Sequence, residues 1–176
     1  MDISLYNNPD HYQSIQLSRP DYLGVVNAIK SFSIKYLSFQ NILDLCGGTG
    51  YFSSLIASYS NVDEITLIDI NKTLLDQATG ASWGKTKISP IHSDVLDYKF
   101  NENTFDLVLS IFAYHHIPDA KKLAYVQNAY KALKQNGMLL LAEIYSPNKN
   151  STLNYYAKLL EHISPEKRIK ELQAFL

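Results

Sequence analysis

Residues 42–52 (ILDLCGGTGYF) decide the fold of this chain. The first five of them form a short apolar run typical of a buried strand. A turn rich in glycine follows directly and contains Gly47, Gly48 and Gly50. Glycine lets the backbone turn sharply and approach a ligand that a Cβ would obstruct. A helical pattern begins at Tyr51, so its free N–H groups point toward the same turn.

A single acidic residue makes this turn more informative. Asp69 stands nineteen residues beyond Gly50 and ends a second strand-like run, 64–69 (EITLID). A carboxylate there can accept hydrogen bonds from both hydroxyls of a ribose. The order strand, glycine loop, helix, strand, acid is far more specific than a glycine-rich turn alone. The alternative for Asp69 is a turn or helix-capping aspartate.

Hydrophobic periodicity divides the rest of the chain into alternating strands and helices. Besides 42–46 and 64–69, strands are predicted at 87–92, 105–111 and 138–144. Helices are predicted at 21–38, 51–60, 72–81 with Asn71 as N-cap, 119–133 capped by Asp119 with Gly137 as the C′ glycine, 153–160 and 166–175. Pro90 interrupts the third strand, which favours an edge position. The alternation predicts an α/β fold: a doubly wound, Rossmann-like, mostly parallel sheet.

Composition limits the kind of ligand. The chain has 176 residues, and 46% of them are hydrophobic, which fits one domain with a real core, residues 1–176. Sixteen basic and seventeen acidic residues give a net charge of −1. A nucleic-acid partner is therefore not expected, and small molecules are the favoured ligands. The single cysteine excludes an intrachain disulfide, and no membrane span or leader is recognisable, so a cytoplasmic location is expected.

Five segments together resemble the motifs of class I S-adenosylmethionine-dependent methyltransferases. They are ILDLCGGTG (42–50), LIDINKTLL (67–75), HSDVLDYKF (92–100), FDLVLSIFAYHHIPD (105–119) and LKQNGMLLLAEI (133–144). The resemblance implies S-adenosyl-L-methionine as cofactor, S-adenosyl-L-homocysteine as product and the strand order 3-2-1-4-5. Cys46 occupies a position that is usually glycine in this family, and a small residue there still allows close approach. The similarity is greatest to the group that methylates small molecules, such as the enzymes of ubiquinone biosynthesis.

The resemblance also assigns residues to the cofactor. Those expected in its site are Tyr12, Arg19, Asp44, Cys46, Gly47, Gly48, Gly50, Asp69, Ile70, Asp94, Val95 and Ser110. Gly48 and Gly50 would lie against the methionine part, with Asp44 supporting the loop. Asp69 would hold the ribose and Ile70 would pack on the adenine.

The remaining assignments concern the adenine edge and the methionine end. Asp94 would accept a hydrogen bond from the adenine amino group, while the Val95 N–H reaches a ring nitrogen. Backbone groups of Ser110 and its neighbour Ile111 would contact the ammonium or carboxylate. Tyr12 would cover the methyl donor and Arg19 would pair with the carboxylate; the alternative for Arg19 is an exposed side chain at a helix start.

Catalysis by direct methyl displacement needs alignment more than a fixed set of catalytic residues. If the acceptor is a hydroxyl, a base would help, and His115 or His116 is the nearest candidate in sequence. The alternative is that these histidines only shape their loop. We expect their rings to point apart on a regular backbone, and no metal site is predicted because the other histidines are scattered.

Three competing interpretations remain. A nicotinamide-dependent dehydrogenase is disfavoured, because Gly48–Ser53 lacks the final glycine of the G-x-G-x-x-G pattern and no hydride-transfer residues are recognisable. Enzymes that methylate planar amide or adenine nitrogens are disfavoured because their Asn/Asp-Pro-Pro-aromatic motif is missing. Cytosine-carbon methyltransferases are disfavoured because they carry a Pro-Cys nucleophile, whereas Leu45 precedes Cys46 here. A non-catalytic cofactor-binding or scaffolding protein is the main alternative.

The family resemblance also predicts a segment that this sequence lacks. Residues 1–40 are expected to form cap helices, 41–145 the cofactor-binding core, and 146–176 C-terminal helices without the family's antiparallel hairpin. The chain is therefore expected to be shortened. An uncovered edge on the fifth strand would pair with a second copy in a homodimer or be covered by helices from 145–176. Methyl transfer by this form is expected to be poor, because the acceptor pocket would be incomplete.

Overall fold

A computed structural model of the chain describes residues 8–36, 38–143, 148, 150 and 151. The chain divides into two compact units, Leu5–Glu143 and a second one formed by Met1–Ser4 with Ile144–Leu176. The sheet and helices below belong to the first unit. The helices predicted at 153–160 and 166–175 lie outside the described residues, as does any cover that 145–176 gives the fifth strand.

Five parallel strands form the sheet, in the order β3-β2-β1-β4-β5. They are β1 (Ser38–Leu45), β2 (Asn61–Asp69), β3 (Lys87–His92), β4 (Phe105–Ile111) and β5 (Leu133–Ala142). The predicted parallel sheet, its strand order and the edge position of the third strand are therefore confirmed. Among the described residues, β5 pairs with β4 alone, at the opposite edge.

Among the residues described up to Glu143, five α-helices and one short 3₁₀ helix accompany the sheet. They are α1 (Pro9–Leu17), α2 (Pro20–Lys35), α3 (Tyr51–Tyr59), α4 (Lys72–Gly80), the 3₁₀ helix Tyr114–His116, and α5 (Asp119–Ala132). Asn71 caps α4 as predicted, because its side chain accepts a hydrogen bond from the Leu74 N–H at 3.2 Å. The N-cap of α5 is Pro118, so Asp119 is the first residue of the helix and not its cap.

Three strands, β1, β2 and β5, start earlier than the sequence pattern predicts. β1 begins at Ser38 instead of residue 42, although its ladder with β4 covers only Ile42 to Asp44. The Asp106 carboxylate on β4 accepts hydrogen bonds from the N–H groups of Gln40 and Asn41 at 3.0 and 2.8 Å. The Asp106 side chain thus accepts hydrogen bonds from backbone N–H groups that the β4 ladder does not reach. Backbone N–H groups that are withdrawn from water need such partners.

The prediction for Gly137 is wrong. The fifth helix ends at Ala132 and β5 starts at once, so Gly137 lies inside a strand instead of following a helix. The register between β4 and β5 shifts between Phe105 and Leu107. A Cβ at Gly137 would lie 3.0 Å from the Phe105 carbonyl oxygen. The glycine therefore marks an irregular strand pairing with close backbone approach. In the sequence alone, a glycine in such a strand looks like a glycine at a helix end.

Apolar side chains cover both faces of the sheet. Successive residues of β1 belong to different clusters: Ile42 lies in the one that includes α2 and α3, and Leu43 in the one that includes α5. Both side chains are fully buried. Burial on both faces is what the continuous apolar runs of the sequence indicate. None of the described helices has the length and apolar character needed to cross a membrane.

Candidate cofactor site

The glycine loop after β1 is shaped partly by the protein's own packing. A Cβ at Gly47 would lie 2.7 Å from Cγ of Asp44, and one at Gly50 would lie 2.7 Å from the indole ring of Trp83. A Cβ at Gly48 would meet nothing nearer than 3.6 Å. Gly47 and Gly50 are thus required by internal contacts, whereas a Cβ at Gly48 would make only ordinary van der Waals contacts, so internal packing does not explain the glycine there.

Asp69 connects this loop to the end of β2. Its Oδ2 accepts the Gly48 N–H at 2.8 Å and its Oδ1 accepts the Asn71 N–H at 2.7 Å. Burial raises the pKa of Asp69, and these backbone donors oppose the rise. Each carboxylate oxygen can accept a second hydrogen bond. Asp69 is therefore held at the carboxyl end of the strand with acceptor capacity left for two ligand hydroxyls.

Asp44 lies beneath the loop and is almost fully buried. The Ser53 hydroxyl donates a short hydrogen bond to its Oδ2. Burial raises the pKa of Asp44 to about 7, the hydrogen bond from Ser53 opposes this rise, and the charge of Asp69 adds to it. The residue supports the loop from within, and a second carboxylate this close disfavours a second negative charge.

Cys46 adopts the left-handed conformation, with φ of 57°. Burial raises the pKa of its thiol to about 12, with contributions from Asp69, Asp44 and Asp94. The thiol is therefore protonated and unreactive at neutral pH. Since three carboxylates influence one side chain, the ends of β1, β2 and β3 converge around this position.

The side expected to hold adenine combines apolar surface with backbone donors. Ile70 is 68% exposed, so its aliphatic side chain offers apolar surface beside the end of β2. Its carbonyl oxygen lies 2.9 Å from Nε2 of His92. Asp94 Oδ1 accepts the Leu96 N–H at 2.8 Å. Val95 is buried, and within the described part of the chain its N–H donates to no backbone or side-chain acceptor.

The N-terminal helix α1 contacts the glycine loop. Gln13 donates to the Tyr22 hydroxyl at 3.2 Å and accepts from the Thr49 hydroxyl at 3.1 Å. Tyr12 lies on the same helix and is half-buried. Arg19 donates to the Asp21 carboxylate at 3.1 Å, so this carboxylate already holds the guanidinium expected to bind the cofactor.

The end of β4 borders the site from the other side. Ser110 is fully buried, and its hydroxyl shares a hydrogen bond of 2.8 Å with the Tyr125 hydroxyl. The ladder between β1 and β4 ends at Leu109, so backbone groups of Ser110 and Ile111 on that side lie beyond it. This arrangement is compatible with the contacts that the sequence predicts for their backbone.

The two histidines after β4 lie together in the 3₁₀ helix. The expectation that their rings point apart is wrong: the centroids of His115 and His116 are 3.9 Å apart, because a 3₁₀ turn differs from an extended backbone. Nδ1 of His115 lies 2.8 Å from Oε2 of Glu143. Burial and the nearby His115 lower the pKa of His116. Among the described residues, no three His, Cys, Asp or Glu side chains are grouped as metal ligands would be.

Comparison with known protein families decides the identity of this fold. The model of a methyltransferase domain family matches residues 42–137, more than half of the chain. The chain belongs to this family. The recognised resemblance to class I S-adenosylmethionine-dependent methyltransferases is thereby confirmed.

Individual relatives of this methyltransferase domain are distant. A demethylmenaquinone methyltransferase of Staphylococcus aureus is 26% identical over 124 residues, covering 70% of this chain and 51% of the relative. The chain thus spans about half the length of the curated relatives it matches. Two solved structures share the fold. The YcgJ protein of Bacillus subtilis has 22% identity and a TM-score of 0.57, covering 77% of this chain and 58% of that one. The N-methyltransferase NodS of Bradyrhizobium japonicum, in complex with S-adenosyl-L-homocysteine, has 20% identity and a TM-score of 0.59, covering 70% and 62%.

Three residues that contact the candidate site were not predicted from the sequence. Trp83 packs on Gly50, Gln13 joins α1 to the loop, and Glu143 contacts His115. None belongs to a local motif that points to its partner. Only Glu143 carried an indirect signal, as an acidic residue at the carboxyl end of a predicted buried strand.

Proposed function

We propose that this chain binds S-adenosyl-L-methionine across the carboxyl ends of β1, β2 and β3 and transfers its methyl group to a small-molecule acceptor. The observation that carries the proposal is the Asp69 carboxylate, fixed by the Gly48 and Asn71 N–H groups beside an unobstructed glycine. A carboxylate in that position suits a ribose, and a backbone without Cβ suits close approach of the cofactor.

The surrounding residues fit the other parts of the cofactor. The exposed face of Ile70 offers an apolar surface to the adenine, and the Val95 N–H offers a donor to a ring nitrogen. Asp94 offers an acceptor to the amino group. Bound S-adenosylmethionine would supply a methyl group on a sulfonium, whose sulfur is the leaving group in an in-line displacement. The protein's contribution is alignment of the acceptor and exclusion of water.

His115 is the residue we assign to the acceptor's proton. It lies in the 3₁₀ helix after β4, and its side chain is 53% exposed, so an acceptor can reach it. A neutral imidazole accepts a proton near physiological pH. His116 is the second candidate, and its lowered pKa keeps it neutral over a wider pH range.

The acceptor class rests on weaker support. The relatives named demethylmenaquinone methyltransferases favour a small aromatic acceptor such as a reduced quinone. The match covers 51% of the relative. A cofactor-binding protein without methyl transfer remains the alternative, and it predicts binding of the cofactor with no product formed.

Trp83 provides the direct test. It is the only tryptophan of the chain and packs on Gly50, so cofactor binding should change its fluorescence. We expect saturable quenching or enhancement with S-adenosyl-L-methionine and S-adenosyl-L-homocysteine, confirmed by calorimetry, and none with NAD. Formation of S-adenosyl-L-homocysteine with a reduced demethylmenaquinone as acceptor would support transfer. Binding without product would favour the non-catalytic alternative, and no binding would refute the proposal.

A further inference from the structure

Glu143 connects the end of β5 to the histidines that follow β4. Its side chain is only 3% exposed. Oε2 lies 2.8 Å from Nδ1 of His115, while Oε1 accepts the Tyr114 N–H at 2.5 Å. The His115 N–H lies 3.4 Å from the same oxygen. One nearly buried carboxylate therefore holds both the backbone and the ring of a residue after the neighbouring strand.

These contacts determine where the protons are. Burial alone would raise the pKa of Glu143, but the hydrogen bonds from His115 and Tyr114 lower it below its ordinary value. An ionised carboxylate accepts and cannot donate, so Nδ1 of His115 must carry the proton that lies between them. In a neutral imidazole with Nδ1 protonated, the lone pair belongs to Nε2.

We propose that Glu143 is a positioning residue that fixes His115 with its proton on Nδ1, so that Nε2 is the atom that takes the acceptor's proton. This inference rests on the proposed function. The acceptor forms a bond to the methyl carbon as the carbon–sulfur bond breaks. The electron pair of the carbon–sulfur bond goes to sulfur, and the acceptor's proton goes to Nε2. Glu143 stays ionised and balances the charge of the resulting imidazolium.

A purely structural role makes a different prediction. If Glu143 only anchors the 3₁₀ helix, its bond to the Tyr114 N–H is sufficient and the tautomer of His115 has no consequence. Glutamine at position 143 separates the two roles. Its amide oxygen replaces only one of the two carboxylate oxygens, so when that oxygen keeps the Tyr114 N–H, the NH2 group faces Nδ1 of His115 and is a donor where an acceptor is needed.

Nitrogen NMR of the chain labelled at histidine tests this directly, at a pH where the rings are neutral. In the wild type we expect His115 to show a protonated Nδ1 and an unprotonated Nε2, assigned by loss of both signals in His115→Asn. In Glu143→Gln, the difference in chemical shift between Nδ1 and Nε2 of His115 should fall by about half or more, because the two neutral tautomers mix. Glu64→Gln is the matched control, since Glu64 is held by Lys87 and Ser89 on other strands. It should leave the His115 signals unchanged.

Three outcomes decide the matter. Protonated Nε2 in the wild type overturns the proposal without any variant, and so does a Glu143→Gln spectrum identical to the wild type. A shift in Glu143→Gln but not in Glu64→Gln supports it. Trp83 fluorescence with S-adenosyl-L-homocysteine is recorded on the same samples. Failure of all samples to bind that ligand refutes the proposed function, while the tautomer of His115 still tests the role of Glu143.

Discussion

The two halves of the sheet differ in how their strand ends are organised. At the β1–β2 end, Asp69 and Asp44 are buried and hold the loop through hydrogen bonds to nearby backbone and Ser53. At the β4–β5 end, His115 is half exposed and Glu143 reaches it from another strand. Under the proposed function, the first region holds a cofactor of fixed shape. The second would leave room for an acceptor, and its chemistry would depend on a contact between residues distant in sequence.

The comparison predicts that the largest loss of cofactor binding comes from the β1–β2 end. Asp69→Ala removes the ribose acceptor and the partner of the Gly48 N–H. Each hydrogen bond to a charged group is worth about 1.5–3 kcal/mol, or roughly 10- to 150-fold in Kd. Calorimetry with S-adenosyl-L-homocysteine measures the effect, and Asp76→Ala on the exposed face of α4 is the control. An unchanged Kd in Asp69→Ala would show that this carboxylate does not hold the ribose.

The loop's internal packing should control stability rather than binding chemistry. Gly50→Ala places a Cβ 2.7 Å from the Trp83 ring at a φ of 69°. Left-handed backbone and overpacking together should lower the free energy of unfolding by roughly 2–4 kcal/mol. Gly24→Ala, in α2 with nothing within 4 Å, should raise it by about 0.5–1 kcal/mol. Urea denaturation of both variants checks the pair, and equal effects would contradict the packing argument.

These two predictions concern features that the sequence pattern already located, and the reason is local geometry. Asp69 and the glycines lie within one strand–loop–helix–strand unit, so their spacing along the chain determines their spacing in the fold. Glu143 and His115 are 28 residues apart, and their contact depends on the register of β4 with β5. Strand order was predictable from alternation and family resemblance. Side-chain contacts across strand ends were not.

The extension of β1 illustrates the same limit. Three of the four residues from Ser38 to Asn41 carry polar side chains and only Phe39 is apolar, so periodicity gave little reason to include them in a buried strand. They pair with β2 instead, and the Asp106 side chain accepts from two of their N–H groups. The role of Gly137 was also misjudged, because a glycine after a helix and a glycine in a strand irregularity look alike in one sequence.

A smaller effect should appear as a pH dependence of stability. Asp44 has a pKa of about 7 in the folded chain, above its ordinary 3.8. Between these values the folded state holds more protons than the unfolded state, so the free energy of unfolding falls as pH rises from about 4 to 7. The carboxylates whose pKa is lowered act in the opposite direction. The difference between wild type and Asp44→Asn therefore isolates this residue: relative to the variant, the wild type should lose stability over that range. A difference independent of pH would exclude the raised pKa.

The smallest expected effect concerns Cys46, where the backbone and the side chain act against each other. A left-handed non-glycine residue costs about 1–2 kcal/mol, and glycine removes this cost but loses more entropy on folding, about 0.5–1 kcal/mol. Cys46→Ala and Cys46→Gly both remove the sulfur, so their difference reports on the backbone alone. We expect Cys46→Gly to be the more stable of the two by up to about 1 kcal/mol, measured by urea denaturation. At position 24, in a helix, the order should be reversed. If alanine is the better residue at both positions, the φ of 57° at Cys46 carries no strain and the loop tolerates cysteine without cost.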